Sequence, residues 1–312
     1  MPGRDKEAPM KRRYVTADVF TDRMFGGNPV AVVLDAAGLS AEQMQAIAVE
    51  FGYSETTFVL PPRDPSHTAW VRIFTPSREI PFAGHPNVGT AFVLAQQMAA
   101  CGEAVPDRLT FEEAAGLVPL DLLRDASAVV GAELTAPEPL SRRAEVARDR
   151  AAACLSLAAG EVRTDAHPPQ VVSVGLPFLV VELASRDALR RARSDRAAYE
   201  GVFPLDGAIA VYAYTRDVGT VAPEAGTDLQ ARMFTPRMTE DPATGSATAA
   251  AAALLAEVRG GADLCLRVGQ GVDMGRPSLL LARAGRQGSA MIAHVGGRCV
   301  RAMEGTFRMP AP

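Results

Sequence analysis

The sequence predicts an α+β fold made of two pseudo-symmetric lobes, each a curved, mostly antiparallel sheet or barrel wrapped around a central helix. Two observations predict it. The segment RIFTPSREIPFAGHPNVG at 72–89 returns in altered form as RMFTPRMTEDPATGSATAA at 232–250, and such an echo is typical of two related halves. The helices that follow the two copies, predicted at 87–100 and 247–258, are apolar around most of their circumference, so each must be enclosed by its own lobe.

Length and composition agree with two lobes of a globular protein. A chain of 312 residues exceeds what one hydrophobic core usually supports. Hydrophobic residues make up 48% of the chain and charged residues 22%, and the net charge of −4 gives no general electrostatic reason to bind nucleic acid or a membrane surface. We therefore expect a small-molecule ligand, with neither a nucleic acid nor a membrane as a partner.

The repeat sets the expected lobe boundaries. The first lobe is predicted at 13–130, completed by the C-terminal strand at 298–312, and the second lobe at 131–297. Residues 1–12 are charged and lack an apolar core, so they predict a flexible tail and not a signal peptide. The stretch 135–167 gives no readable pattern.

In the first half of the chain, alternating residues predict strands at 14–20 and 30–34 around the turn FGGNP. Ser40 and Gln43 predict a capping box for a helix that ends at Gly52. The remaining predicted strands of this half are 53–60, 70–74 and a pair around Gly116 at 111–123.

In the second half, the sequence predicts one long strand at 171–183, which contains Ser173 and Gly175. A basic helix is predicted at 185–199, with its charges on a solvated face. The remaining predicted strands are 208–214, 264–268, 278–282 and 299–309.

Cysteine and histidine spacing indicates the compartment and argues against metal chemistry. The four cysteines form no Cys-x-x-Cys pair, which predicts reduced thiols in a cytoplasmic protein. No histidine pairs with another ligand at metal-binding spacing, so we expect no metal site. Gly269, Gly271 and Gly275 have the wrong spacing for a dinucleotide site. The longest strongly apolar run, 247–256, is too short to cross a bilayer.

Two glycine turns are candidate ligand sites. Gly84–His85 and Gly245–Ser246 each precede a predicted helix, where free backbone N–H groups and the positive end of the helix dipole attract an anion. Alone, Ser246 would be an ordinary N-cap. The two turns together favour a carboxylate ligand in the cleft between the lobes, where small-molecule sites are common.

Three side chains near those turns could transfer protons. His85 at a helix start is expected to be a neutral imidazole. Asp241 stands where Ile80 stands in the first copy, with Glu240 as the competing acid. Partial burial of Glu55 would raise its pKa toward the value that a general acid or base needs. From its own position alone, Glu55 could equally be an exposed strand glutamate.

Five motifs occur in the order DVFTDRMFGGNPVAVVL, GYSETTFV, FTPSREIPFAGHPNVGTA, EDPATGSA and QGVDMGRPS. In these motifs the chain resembles the PhzF-like phenazine biosynthesis family, from Asp18 to about Phe307. The resemblance implies a fold similar to that of diaminopimelate epimerase and a homodimer. It also implies isomerisation of trans-2,3-dihydro-3-hydroxyanthranilate without cofactor or metal.

The resemblance also implies residue roles. Glu55 would be the acid/base, which removes a proton from the ring carbon bearing the hydroxyl before a proton returns to another ring carbon. His85 and Asp241 would hold the substrate's amino and hydroxyl groups. Ser246 and the Gly84 turn would bind its carboxylate. The full set of expected substrate-binding residues is Ser54, Gly84, Gly245, Ser246, Ser173 and Gly175.

Two alternatives remain open at this point. One is a one-base epimerase or racemase of a small acid with the same fold. The two-thiol form of that chemistry is excluded, because Ala247 stands where the second thiol would be and Pro86–Asn87 offers no first thiol. The other is a non-catalytic small-molecule binding protein that kept the cleft. The presence of Glu55, His85 and Asp241 argues against it.

Overall fold

The computed structural model describes residues 10–309 as a mixture of helices and strands, which confirms the predicted α+β class. The helices are α1 (Ala41–Phe51), α2 (Gly84–Ala100), α3 (Arg148–Cys154), α4 (Arg186–Arg191), α5 (Arg196–Val202) and α6 (Gly245–Val258). The strands up to the middle of the chain are β1 (Met10–Val19), β2 (Asn28–Val33), β3 (Glu55–Leu60), β4 (Ala69–Phe74), β5 (Glu79–Ile80), β6 (Arg108–Glu113), β7 (Gly116–Asp125) and β8 (Ala128–Thr135). The later strands are β9 (Ser141–Glu145), β10 (Gln170–Ser173), β11 (Pro177–Glu182), β12 (Val211–Thr215), β13 (Leu229–Phe234), β14 (Glu240–Asp241), β15 (Leu264–Gln270), β16 (Ser278–Gln287) and β17 (Ala290–Met309).

The first sheet closes on itself around α2. From β1 the order runs through antiparallel β2, parallel β3, antiparallel β4, parallel β6, antiparallel β7 and antiparallel β8. β8 then pairs with the middle of β17, and the C-terminal half of β17 pairs with β1 to complete the ring.

The second sheet repeats this order around α6. It runs from β9 through β10, β11, parallel β12, β13, parallel β15 and β16 to the first part of β17. The link from β8 to β9 continues along β17, since Ala136 N donates to Ala293 O at 2.8 Å and Leu140 N to Met291 O at 2.9 Å. β17 therefore takes part in both sheets.

Both central helices are buried on nearly all sides, as the sequence predicts. In α6 every residue from Ala247 to Ala256 is buried, and in α2 every residue from Gly84 to Val93. The small side chains of α6 let the surrounding strands approach closely, and burial of this apolar surface is the main favourable contribution to such a fold. The predicted architecture of two related lobes is confirmed.

The exact lobe boundaries stay a prediction. For the predicted tail at 1–12, residues 1–9 lie outside the described residues, and 10–12 already belong to β1. Residues 310–312 of the predicted last strand also lie outside them. Within 10–309, no helix has both the length and the hydropathy needed to cross a membrane.

The predicted long strand at 171–183 is wrong, because β10 and β11 form a hairpin there. Gly175 has φ 139°, a backbone conformation that side-chain-bearing residues rarely adopt, and a Cβ at this position would lie 2.6 Å from Pro137 Cγ. The Ser173 hydroxyl accepts a hydrogen bond from Gly175 N at 3.0 Å and fixes the turn.

The predicted basic helix at 185–199 is wrong in its continuity, because α4 and α5 are separate. Between them Arg193 N donates to Leu155 O at 3.0 Å, and Asp195 caps α5 by accepting from Ala198 N at 2.8 Å. The inner faces of the two helices bury Leu189 and Tyr199, so only their outer faces are solvated.

Local signals at α1 are confirmed. Ser40 and Gln43 form the reciprocal capping box, and Gly52 ends the helix in the left-handed conformation. By contrast, α2 and α6 begin at Gly84 and Gly245, earlier than predicted. His85 and Ser246 therefore lie inside the first turns of these helices.

Candidate active site

The helices α2 and α6 meet end to end at their N-termini. A Cβ on Gly84 would lie 3.4 Å from Ser246 N and 3.7 Å from Gly245 Cα, which is van der Waals contact, so the two helix starts are close neighbours at this glycine. The free N–H groups of both first turns lie at this junction, and two positive helix ends face each other. A carboxylate bound between them would offset the charge of both.

An arginine–glutamate pair stabilises the loop in front of each helix. Arg72 binds Glu79 through two hydrogen bonds of 2.7 Å, and Arg232 binds Glu240 through bonds of 2.7 and 2.6 Å. Such bidentate pairs are among the stronger polar contacts in proteins. Glu240 is thus held by Arg232, which leaves Asp241 as the acid of this loop that faces the helix junction.

The structure brings the three predicted catalytic residues together. Glu55 Oε2, at the start of β3, lies 3.5 Å from His85 Nε2 in the first turn of α2. On its other side, His85 Nδ1 lies 3.3 Å from Asn28 Nδ2. Asn28 in turn donates to Asp241 Oδ1 at 2.8 Å and to Ala243 O at 2.9 Å. Asn28 therefore connects the first lobe's histidine to the second lobe's aspartate.

Burial shifts the pKa values of all three residues toward their neutral forms. It raises the pKa of Glu55 to about 8, with the negative charge of Asp241 adding to the rise. It lowers the pKa of His85 to about 3, against the effect of the Pro29 carbonyl. It raises the pKa of Asp241 to about 6, although hydrogen bonds from Thr244 and Asn28 oppose the rise.

These shifts define the charge of the site near neutral pH. Glu55 is mostly protonated, His85 is neutral and Asp241 is mostly ionised. Since 19% of the Glu55 side chain is still exposed, a substrate can reach its carboxyl. A carboxyl with a pKa near neutrality can give up and take back a proton with little change in free energy, which is the property that general acid–base catalysis requires.

Two buried polar atoms of the cluster have no hydrogen-bond partner among the described residues. They are Asn28 Oδ1 and His85 Nε2. Buried polar groups are nearly always paired, so unpaired ones at a helix junction indicate groups that a ligand completes.

Sequence reasoning missed three residues that shape the site. In the sequence Asn28 stands out only as part of the FGGNP turn. The same GGNPV motif is the signal that could have identified it as a site residue. Thr244 Oγ1 donates to Asp241 Oδ2 at 2.6 Å. Gln270 Nε2 donates to Asp241 O at 2.8 Å, and its Oε1 accepts from Thr244 N at 3.1 Å. Thr244 and Gln270 therefore fix the carboxylate that Asn28 contacts.

The other predicted substrate-binding residues lie in different surroundings. Ser54 is exposed and immediately precedes β3, and Ser246 is partly exposed in the first turn of α6. Ser173 is fully buried, and its hydroxyl bonds Gly175 in the β10–β11 turn. The roles of these residues in binding stay predictions.

Metal binding was not expected from the sequence. Among residues 10–309, no three His, Cys, Asp or Glu side chains are grouped to hold an ion. That the reaction needs neither metal nor cofactor stays a prediction.

Comparison with known proteins identifies the family. The model of the phenazine biosynthesis-like proteins matches residues 17–305. This chain belongs to that family. It is 39% identical over 304 residues to an uncharacterised isomerase of Mesorhizobium japonicum, covering 94% of this chain and 98% of the relative. It is 37% identical over 304 residues, with the same coverage, to the trans-2,3-dihydro-3-hydroxyanthranilate isomerase of Pseudomonas chlororaphis.

A solved structure supports the family fold. The PhzF-family phenazine biosynthesis protein of Bacillus anthracis matches with a TM-score of 0.85 at 22% identity, over 96% of this chain and 100% of that one. At this identity the match shows the fold alone. The predictions of the family and of an isomerase are confirmed, because these two relatives match almost the whole chain and are named isomerases.

Proposed function

We propose that this chain is a cofactor-independent isomerase that moves a proton, and with it the double bonds, on a small cyclic acid carrying amino or hydroxyl groups. The substrate named for the Pseudomonas chlororaphis relative, trans-2,3-dihydro-3-hydroxyanthranilate, is the first candidate. The strongest support is the largely buried Glu55 carboxyl beside His85, with its raised pKa, next to the junction of two helix N-termini.

Substrate binding would use the groups that the folded chain leaves available. The substrate carboxylate binds to the N–H groups at the starts of α2 and α6, where the Gly84 and Gly245 turns meet. The substrate's amino and hydroxyl groups bind near Asp241, His85 and the unpaired Asn28 Oδ1. This arrangement turns the carbon that loses the proton toward Glu55.

The proton transfer needs one carboxyl group. Ionised Glu55 takes a proton from the ring carbon that bears the hydroxyl, and the electron pair of that C–H bond moves into the ring. The partly exposed Glu55 carboxyl exchanges its proton with solvent and gives a proton to another ring carbon, so the double bonds shift and the carboxylate is regenerated. A positioned general acid–base group of this kind contributes about 10²- to 10⁴-fold in rate. Neutral His85 stays beside the carboxyl throughout and adds no charge that would lower its pKa.

The one-sided arrangement of the acid–base groups favours an isomerase over an epimerase. Matching strand registers in the two lobes place Ala210 where the first lobe has Glu55, and Leu176 where it has Asn28. Inversion at a carbon atom by proton transfer usually uses a group on each face of the substrate. A proton shift along one face needs only Glu55.

The raised pKa of Glu55 also supports catalysis over mere binding. A binding protein would gain from an ionised or hydrogen-bonded residue here, whereas a desolvated carboxyl costs stability. We also propose that the chain acts in the cytoplasm as a homodimer. Its four free cysteines support the first part, and the family resemblance supports the second.

Solvent hydrogen exchange tests this function. In deuterated water, the wild-type protein is expected to incorporate deuterium into trans-2,3-dihydro-3-hydroxyanthranilate and to change its ultraviolet spectrum. Glu55→Gln keeps the shape of the side chain but cannot take a proton, so both changes should vanish. Glu50→Gln, at an exposed glutamate of α1, is the matched control and should behave like the wild type.

Each failure has a distinct meaning. A wild-type protein inert toward this compound, but active on another member of a panel of cyclic amino and hydroxy acids, would reject the named substrate. Full activity of Glu55→Gln, with circular dichroism unchanged, would reject the named base.

A further inference from the structure

The segment QGVDMGRPS at 270–278 takes no part in the proton transfer, yet it contacts both loops that form the centre of the site. One of these loops carries Asp241 and the other leads into Asn28. The hydrogen bond between these two side chains joins residues 213 positions apart in the chain. The geometry of this hydrogen bond therefore depends on the contacts that fix the two loops relative to each other.

The beginning and end of the segment hold the Asp241 loop. Gln270 bonds the Asp241 carbonyl and Thr244, as described above. At the other end, Ser278 Oγ donates to Pro242 O at 3.1 Å. The peptide groups on both sides of Pro242 are thus fixed from one short piece of chain.

Arg276, in the same segment, holds the loop that leads into Asn28. Its Nε donates to Gly27 O at 2.8 Å, and its terminal nitrogen donates to Gly26 O at 2.7 Å. The carbonyl of the following residue, Pro277, accepts from Gly27 N at 3.2 Å. Asn28 is the next residue along the chain, so Arg276 restrains the backbone from which its side chain extends.

Asp18 completes this arrangement from β1. Its Oδ1 accepts from Arg276 at 2.7 Å, and its Oδ2 accepts from Phe25 N at 2.7 Å. The Asp18 side chain is only 4% exposed and that of Arg276 30%. Removing one partner of a pair with a buried charge leaves the other charge unpaired, which is costly. The pair therefore resists displacement of residues 25–27.

We propose that Arg276 and Asp18 are positioning residues for the isomerase, which fix Asn28 so that its amide N–H binds Asp241 and its Oδ1 faces the substrate. Neither residue touches the reacting atoms. The catalytic part of this inference rests on the function proposed above, whereas the positional part can be tested without any substrate. The QGVDMGRPS motif would thus set the distance between Asn28 of the first lobe and Asp241 of the second.

The test replaces Arg276 by Met and by Lys. Met removes all three hydrogen bonds, whereas Lys keeps a charge near Asp18 but lacks the planar fork that reaches several acceptors at once. Arg108→Met is the matched control, because Arg108 forms an exposed bidentate pair with Asp121 on the β6–β7 hairpin. The readout is the titration of the Asp241 carboxyl by NMR, assigned from the spectrum of Asp241→Asn.

The expected result follows from the groups that face Asp241. The hydrogen bonds from Asn28 and Thr244 lower its pKa, whereas burial and the nearby Glu240 raise it. When Arg276→Met releases Asn28, only the first hydrogen bond is lost, so the pKa of Asp241 should rise. Arg276→Lys should give a smaller rise and Arg108→Met none. In the exchange assay kcat should fall about 10-fold or more for Arg276→Met, in the range expected when a catalytic geometry loosens.

The outcomes separate the two proposals. An unchanged Asp241 titration in folded Arg276→Met or Arg276→Lys would overturn the positioning role, whatever the activity. If Arg276→Met does not fold, Arg276→Lys and Asp18→Asn decide the question by the same measurement. A wild-type protein inert in the exchange assay would count against the proposed function, while the NMR titration would still decide the role of Arg276.

Discussion

The two copies of the repeated unit share a backbone but differ in their side chains. Both place a glycine at the helix start, so both offer free N–H groups to an anion. The first copy then has His85 where the second has Ser246, and the second has Asp241 where the first has Ile80. The comparison teaches that helix starts able to bind an anion come from both lobes, whereas each side chain proposed for acid–base chemistry comes from only one.

The supporting arginine–glutamate pairs differ in burial. Arg72 and Glu79 are partly exposed, whereas Arg232 is buried and also donates to backbone carbonyls of the α4–α5 region, including Leu189 O at 2.9 Å. The second pair therefore also anchors α4, whereas among the described residues Arg72 bonds only Glu79 and no backbone carbonyl of α1, the helix that covers the matching strands of the first lobe. The Asp241 loop is correspondingly the more tightly held of the two.

The largest expected effect comes from replacing Asn28 of the first lobe by the residue that the second lobe has at the equivalent position. Asn28→Leu installs the residue found at the equivalent position, Leu176, and removes the donor to Asp241 and Ala243 O. We expect the free energy of unfolding to fall by about 2–3 kcal/mol, because a buried carboxylate loses a hydrogen bond. The rate of substrate deuteration should fall about 100-fold.

Urea unfolding and the exchange assay measure these two effects. Asn28→Asp has nearly the same shape as the native residue but places a second carboxylate beside Asp241, so it should lose activity as well. Wild-type activity in either variant would show that the bridge between the lobes is dispensable.

The second effect concerns the charge that Asp241 adds to the site. The pKa of Glu55 is raised to about 8, first by burial and then by Asp241. Since the base form of Glu55 is lost as pH falls below its pKa, kcat/KM of the wild type should rise with pH up to about 8. Asp241→Asn removes the negative charge, so the midpoint of this rise should move to lower pH even though kcat also falls.

A pH profile of kcat/KM from solvent exchange checks the shift. Glu304→Gln, at an exposed carboxyl of β17, should leave the midpoint unchanged. An identical midpoint in Asp241→Asn and the wild type would mean that Asp241 does not influence the proposed catalytic carboxyl of Glu55.

The smallest expected effect concerns Glu113 and Gln270, two residues at equivalent strand positions in the two lobes. The strand registers place Glu113 where the second lobe has Gln270. Gln270 is fully hydrogen-bonded, whereas both carboxyl oxygens of Glu113 are buried without a partner among the described residues. Burial raises the pKa of Glu113 to about 8, although the nearby Asn87 side chain opposes the rise.

Glu113→Gln should therefore stabilise the protein in a pH-dependent way. A carboxyl with a raised pKa in the folded state keeps its proton where the unfolded chain has lost it, so its contribution to stability declines as pH rises from about 4.5 to about 8. The Gln variant should gain stability at pH 8 and almost nothing at pH 4. Denaturant unfolding at both pH values measures this, and an equal gain at both would contradict the ionisation argument.

Much of the fold was predictable because its signals are local. The capping box at Ser40, the glycine at the end of α1 and the all-round apolar character of α6 each depend on neighbouring residues. The repeat itself can be recognised from identical residues at matching positions in the sequence. These signals were enough to predict two lobes with one enclosed helix each.

The wrong predictions of secondary structure concern places where residues distant in sequence make the deciding contacts. The turn at Gly175 depends on Pro137, and the break between α4 and α5 depends on Leu155. The start of α2 has no side-chain cap at Ala83, so no local capping motif marks it in the sequence. Asn28 was missed for the same reason, since its importance comes from Asp241.

The shared strand β17 has a consequence for biosynthesis. It is 20 residues long, forms part of both sheets, and its last residues lie opposite the first residues of β1, with Met309 beside Met10. Neither ring of strands can close before β17 has left the ribosome. The nascent chain must therefore keep the unpaired edges of both sheets from aggregating until this strand has been synthesised.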